Sequence, residues 1–155
     1  MPEGGASAWV DRSESLGYQV NLLARVLASL LHREIAPHGV VPGQFAQLLA
    51  LYDRDGQTPT ELSRAVGIEP GTMTKTLQRM ERDGLVQRRR DLRDGRSVTI
   101  HLTERSRRLE PALKDAAIGI NALVTRPLSA RRVQTFMRTL DVLISEASRL
   151  DAEGP

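Results

Sequence analysis

The chain has 155 residues, a mass of 17.1 kDa and a formal net charge of +3, which fits one domain able to bury a core without disulfide or metal staples. Cysteine is absent, so disulfides, thiolate metal sites, cysteine nucleophiles and thiol-based redox sensing are excluded. Met1 to Ser7 lacks the basic start and apolar core of a signal peptide, and no run of about 18 apolar residues occurs, so a soluble cytoplasmic protein with no membrane partner is expected.

Positive charge is concentrated in the middle third. Pro59 to Arg108 holds twelve Lys and Arg against seven Asp and Glu, whereas the rest holds ten against twelve. Of the 22 basic residues, only Lys75 and Lys114 are lysine. That bias suits phosphate and base-edge recognition by a planar donor, although a coding bias would produce it too.

Residues 1–11 read as a mobile tail whose one feature is Trp9. From Ser15 to Ile35, Leu16, Val20, Leu23, Leu27 and Leu30 recur at alternating spacings of four and three, predicting a long amphipathic helix that Pro37-His38-Gly39 stops. Pro42 opens a second helix with Phe45, Leu48, Leu49 and Tyr52 on its inner face, and Asp55-Gly56 closes it. Thr58-Pro59-Thr60-Glu61 is a capping box with proline at the first helical position, starting a short third helix that turns Leu62, Ala65 and Val66 inward. Gly67 supplies the turn before a fourth helix, from Pro70 to about Asp83, that buries Met73, Leu77 and Met80. Its outer face carries Thr72, Thr74, Lys75, Gln78, Arg79 and Arg82.

Leu85 to Arg90 and Ser97 to Leu102 flank Asp91-Leu92-Arg93-Asp94-Gly95-Arg96. The alternation of Val98, Ile100 and Leu102 marks a hairpin with a charged tip. Thr103 caps a fifth helix with Leu109, Leu113, Ala116, Ile120 and Leu123 on one stripe, and Ser129 caps a last helix with Val133, Phe136, Leu140, Leu143, Ala147 and Leu150 at near-heptad spacing.

Helix, glycine turn, polar-basic helix and arginine-tipped hairpin follow one another in the order of a winged helix-turn-helix. A helix fits the major groove, about 12 Å wide, where hydroxyl, ammonium and guanidinium groups reach base edges. Thr72, Thr74, Lys75, Gln78 and Arg79 are the candidates for that contact. An arginine at a hairpin tip can enter the narrow minor groove, and Arg93 is the candidate. At least one of Asp91 and Asp94 is expected to hold Arg93 or Arg96 by a charge-assisted bond. Arg88, Arg89 and Arg90 then contact or steer toward the phosphate backbone, and Arg88, Arg90, Arg93 and Arg96 are the DNA-binding candidates of the wing.

Three stretches carry a wider resemblance. They are Thr60-Glu61-Leu62, the run from Met73-Thr74-Lys75-Thr76 through Gly84-Leu85-Val86, and the wing Asp91-x-Arg93-Asp94-x-Arg96 followed by Leu102-Thr103-Glu104. In these the chain resembles the MarR (multiple antibiotic resistance regulator) family, from Ser15 to Leu150. The resemblance implies a mainly α fold with a small β-hairpin wing (α+β). Residues 12–155 would form a single domain, with a winged lobe at about 42–103 and dimerisation helices at about 13–36 and 104–150. It further implies a homodimer on a pseudo-palindromic double-stranded DNA operator, most often a repressor released by a small phenolic or aromatic effector, in a prokaryotic cytoplasm and on the nucleoid when bound. Ser106 departs from the pattern, which often has glycine there.

Three long apolar-striped helices offer more apolar surface than a small winged lobe can cover, which also points to dimerisation. His32, His38 and His101 have no paired ligand spacing, so no metal site is expected. No Gly-rich phosphate loop, G-x-S-x-G or histidine near a nucleophile occurs, so no enzymatic activity and no cofactor are expected. Tyr18, Arg25, His32 and Tyr52 lie on helices suited to an effector pocket, but packing explains them equally well. The alternative is a winged-helix protein-interaction module whose basic face meets an acidic partner.

Overall fold

The structure, a computed structural model, describes residues 11–90, 95 and 97–154. Among these residues six α-helices and one antiparallel hairpin follow the order α1 (Leu16–Ile35), α2 (Pro42–Asp53), α3 (Pro59–Val66), α4 (Pro70–Arg82), β1 (Val86–Arg90), β2 (Val98–Leu102), α5 (Glu104–Thr125) and α6 (Ala130–Ala152).

Local chemistry accounts for most boundaries. The Ser15 hydroxyl accepts from the Tyr18 N–H at the start of α1, and the Ser129 hydroxyl accepts from the Arg132 N–H at the start of α6. At α3 the capping box closes in both directions: the Thr58 hydroxyl accepts from the Glu61 N–H at 3.2 Å, and Glu61 Oε2 accepts from the Thr58 N–H at 2.8 Å. Each bond satisfies a backbone donor that the helix itself leaves free. Gly67 then turns the chain with φ of 72°, a left-handed conformation that L side chains resist. The Thr103 hydroxyl accepts from the Ser106 N–H to start α5, which runs on through Pro111 although proline withdraws one donor there.

The chain divides after Ala117 into two compact units. In the first, Leu48, Leu51, Leu62, Met73, Leu77, Met80, Leu85, Ile100 and Leu113 are completely buried. Met73, Leu77 and Met80 come from the inner stripe of α4, as the spacing predicts. In the second unit no residue of α6 is buried, and Ile118, Leu123, Val142 and Ile144 are exposed.

Two helix faces differ from expectation. α2 buries Leu51, Gln44 and Gln47 beside Phe45 and Leu48, while Leu49 and Tyr52 are half-buried. The reason is its central position: α2 touches α1, α3, α4 and β2, so it has no single inner stripe. In α3, Ala65 is exposed and Ser63 is buried with Leu62, because two turns offer little more than one row of side chains to the core.

The hairpin also has a third rung that periodicity does not reveal. The Ile100 N–H donates to the Gln57 carbonyl at 2.8 Å and the Gly56 N–H donates to the Ile100 carbonyl at 3.0 Å. Through this bridge the α2–α3 loop extends the sheet by a single residue.

Candidate nucleic-acid interface

α3, the Gly67 turn and α4 form a helix-turn-helix, and the hairpin follows as its wing. With Met73, Leu77 and Met80 turned inward, Thr72, Thr74, Lys75, Gln78, Arg79 and Arg82 all lie exposed on α4. The Thr74 hydroxyl donates back along the helix to the Pro70 carbonyl at 3.0 Å.

The strand register sorts the arginine run. Val86, Arg88 and Arg90 pair with Leu102, Ile100 and Val98, so these six share one face of the hairpin, and Arg89 shares the other with Thr99. Arg88 Nε lies 2.7 Å from Oε2 of Glu81, a residue of α4, so the face that carries Arg88 and Arg90 is turned toward that helix. Arg88 and Arg90 therefore stand on the α4 side, whereas Arg89 does not. Arg93, Arg96, Asp91 and Asp94, the expected tip contact and its orienting partners, lie outside the described residues, as does Trp9.

Several side chains that sequence reasoning left unassigned hold this arrangement. The Arg105 guanidinium donates to the Asp83 carbonyl at 2.6 Å, just past α4, and to the His38 carbonyl at 2.8 Å. Gly39 makes room for it, since a Cβ there would approach Arg105 Nη2 to 2.7 Å. The Gln44 amide donates to Asp83 Oδ2 at 2.7 Å. The end of α4 is thus tied to α2, to α5 and to the turn after α1.

Asp55 does the same for the wing. Its Oδ1 accepts from the Leu102 N–H at 2.8 Å, continuing the rungs made by Gly56 and Gln57, while its Oδ2 pairs with Arg107 of α5 at 2.5 Å and lies 3.4 Å from His101 Nδ1. Ser106 is completely buried, and its hydroxyl donates a short bond to the Leu85 carbonyl. The buried hydroxyl is accommodated because that carbonyl supplies an acceptor.

The Tyr52 hydroxyl donates to the Ser106 carbonyl at 2.7 Å, and Lys114 Nζ lies 5.6 Å from the ring centroid. Burial, with Glu110 adding to it, pushes the phenol up to about 12. Tyr52 is thus neutral near pH 7 and acts as a donor joining α2 to α5. Among the described residues no cluster of three or more His, Asp or Glu is placed to hold a metal, and no helix is long and apolar enough to cross a membrane.

The sequence model of the MarR family matches residues 41–98, the stretch from α2 into β2. The chain is similar to the HTH-type transcriptional regulator TtmR of Methylorubrum extorquens (strain PA1), with 30% identity over 154 residues, covering 99% of this chain and 76% of that protein. Among solved structures it resembles a MarR transcriptional regulator from Methanosarcina mazei Go1, with TM-score 0.79 and 28% identity over 86% of this chain and 96% of that one. It also resembles the Mycobacterium tuberculosis MarR family protein Rv2887 in complex with salicylic acid, with TM-score 0.64 and 29% identity over 83% of this chain and 96% of that one.

Proposed function

This chain belongs to the MarR family of DNA-binding transcriptional regulators, and we propose that it is a ligand-responsive repressor that binds a pseudo-palindromic operator as a homodimer. The family is one of regulators and not of enzymes. The observation that carries the reading is the shared surface of α4 and the wing: an exposed polar-basic helix face, with Arg88 and Arg90 on the strand face beside it.

On this reading α4 enters the major groove, where Thr72, Thr74, Lys75, Gln78 and Arg79 meet base edges and phosphates. Arg88 and Arg90 contact the backbone, and affinity falls with salt because each contact releases counterions condensed on the phosphates. Arg93 enters the minor groove at the wing tip, with Asp91 and Asp94 orienting Arg93 and Arg96.

A second copy of the chain covers the apolar residues exposed on the long helices, taken as dimerisation segments at about 13–36 and 104–150. Leu16, Val20, Leu23 and Val26 of α1 are exposed in the single chain, as are Val142 and Ile144 of α6. Apolar surface on that scale marks an interaction site. The two winged lobes then face half-sites about one helical turn apart. A small aromatic or phenolic effector that favours the DNA-incompetent arrangement releases the operator. Rv2887 with salicylic acid supports that ligand class. The working compartment is the cytoplasm.

Fluorescence anisotropy tests this against duplexes tiling the protein's own upstream region, with excess nonspecific competitor. Tight binding to one tile at two subunits per site is expected. Equal, weak binding to every tile leaves two readings, a regulator whose operator lies outside the tiled region or the protein-interaction alternative, in which the basic face meets an acidic partner.

A further inference from the structure

Thr74 is the fifth residue of α4, and its hydroxyl donates to the Pro70 carbonyl. The same backward bond is made by Thr125 to Asn121, Thr135 to Arg131 and Thr139 to Thr135, a common arrangement for a threonine inside a helix. A hydroxyl carries one hydrogen. At Thr74 that hydrogen is committed to the backbone, which leaves the oxygen lone pairs and the γ-methyl for a ligand.

This changes which base pair the residue can read. In the major groove guanine presents only the acceptors N7 and O6, for which Thr74 has no donor. A thymine·adenine pair presents the thymine 5-methyl group and the adenine N6 amino group, but a guanine·cytosine pair offers the cytosine N4 amino group to the same lone pairs, so the thymine methyl against the Thr74 γ-methyl is what discriminates. Gly71 precedes Thr74 by three residues, and a Cβ added there would meet nothing within 4 Å. A helical side chain covers the turn N-terminal to its own Cα, so the surface that Thr74 leans over is open to a base edge.

We propose that Thr74 determines specificity by reading a thymine·adenine pair through the thymine 5-methyl group. The proposal rests on α4 being the helix that enters the major groove.

The test takes the full chain and its best-binding duplex and replaces each thymine in turn with deoxyuridine, which removes one methyl and leaves base pairing intact. Fluorescence anisotropy should find at least one thymine whose replacement weakens binding about four-fold, the worth of one buried methyl-sized group. Thr74→Ser, which keeps the hydroxyl and loses the methyl, should weaken binding to the thymine duplex by the same factor and be indifferent to uracil at that position. Thr74→Val should keep the uracil effect. A wild-type protein that prefers this duplex yet shows no uracil effect anywhere overturns the proposal and leaves DNA reading by α4 standing. So does a Thr74→Ser variant that keeps the full uracil effect at every thymine. Equal binding to all duplexes overturns the proposal together with the reading it rests on.

Discussion

Replacing Asp55 with alanine removes the acceptor that ends the third rung of the hairpin. The Leu102 N–H that it receives belongs to a buried residue and faces away from β1, since Ile100, two residues earlier, bonds to Gln57. Leaving that donor without its acceptor costs about 1–3 kcal/mol. The Arg107 partner is more than half exposed, so solvent screening holds its contribution to about 0.2–1 kcal/mol. Together these give a destabilisation of about 1–4 kcal/mol for Asp55→Ala. Asp55→Asn keeps a carbonyl for Leu102 and should lose about 1 kcal/mol or less. Urea unfolding at fixed protein concentration reads both as shifts in midpoint at constant slope. An Asp55→Asn variant as unstable as Asp55→Ala would refute the backbone bond as the main contribution. An Asp55→Ala variant indistinguishable from wild type would refute the rung altogether.

Arg88→Ala should lower the slope of log affinity against log salt by about 0.9, the value of one phosphate contact; an unchanged slope in anisotropy titrations would leave Arg88 as the partner of Glu81 alone. Thr58→Ala should cost about 1 kcal/mol in urea unfolding through loss of the α3 cap. The backbone N–H and then the hydroxyl of Thr58 hold the Glu61 carboxyl below its ordinary value, so its contribution is present above the ordinary carboxylate range and is lost as pH falls through the lowered value. Glu61→Gln should therefore flatten the decline in stability as pH falls through and below the ordinary carboxylate range, and a variant that declines as steeply as wild type would count against the cap as the source. Val142 and Ile144 are 68% and 61% exposed on α6. Changing both to glutamate should yield a monomer in sedimentation velocity, and an unaltered dimer would remove that stretch of α6 from the interface.

How legible the site was depended on how far apart the interacting residues lie in the chain. The Thr58–Glu61 cap spans three residues and α4's buried stripe repeats every three or four, so both follow from short-range geometry. Arg105 reaches the carbonyl of His38 from 67 residues away, and Asp55 reaches Leu102 from 47. Nothing in the local pattern around Asp55-Gly56 separates a helix-ending turn from an additional strand rung. The arginine run of β1 was readable as basic, but which members face α4 depended on the register with β2 and on Glu81. On α2, Leu49 and Tyr52 pack half-buried against the core as the spacing predicts, whereas buried Leu51, Gln44 and Gln47 lie outside that stripe because α2 is covered by four neighbours and not by one.

Composition alone removed thiol chemistry, and periodicity with capping residues determined six helices, a hairpin and the polar-basic face of α4. These are consequences of backbone geometry and of side chains a few residues apart, which any short segment carries with it. Only the tertiary structure decided that Glu81 holds Arg88, that Arg105 ties the end of α4 to the turn after α1, and that Asp55 joins the wing to α5. Such partners are chosen when separate elements pack. A charged side chain on a surface has many potential partners in sequence, and packing leaves it only those that the core brings within reach.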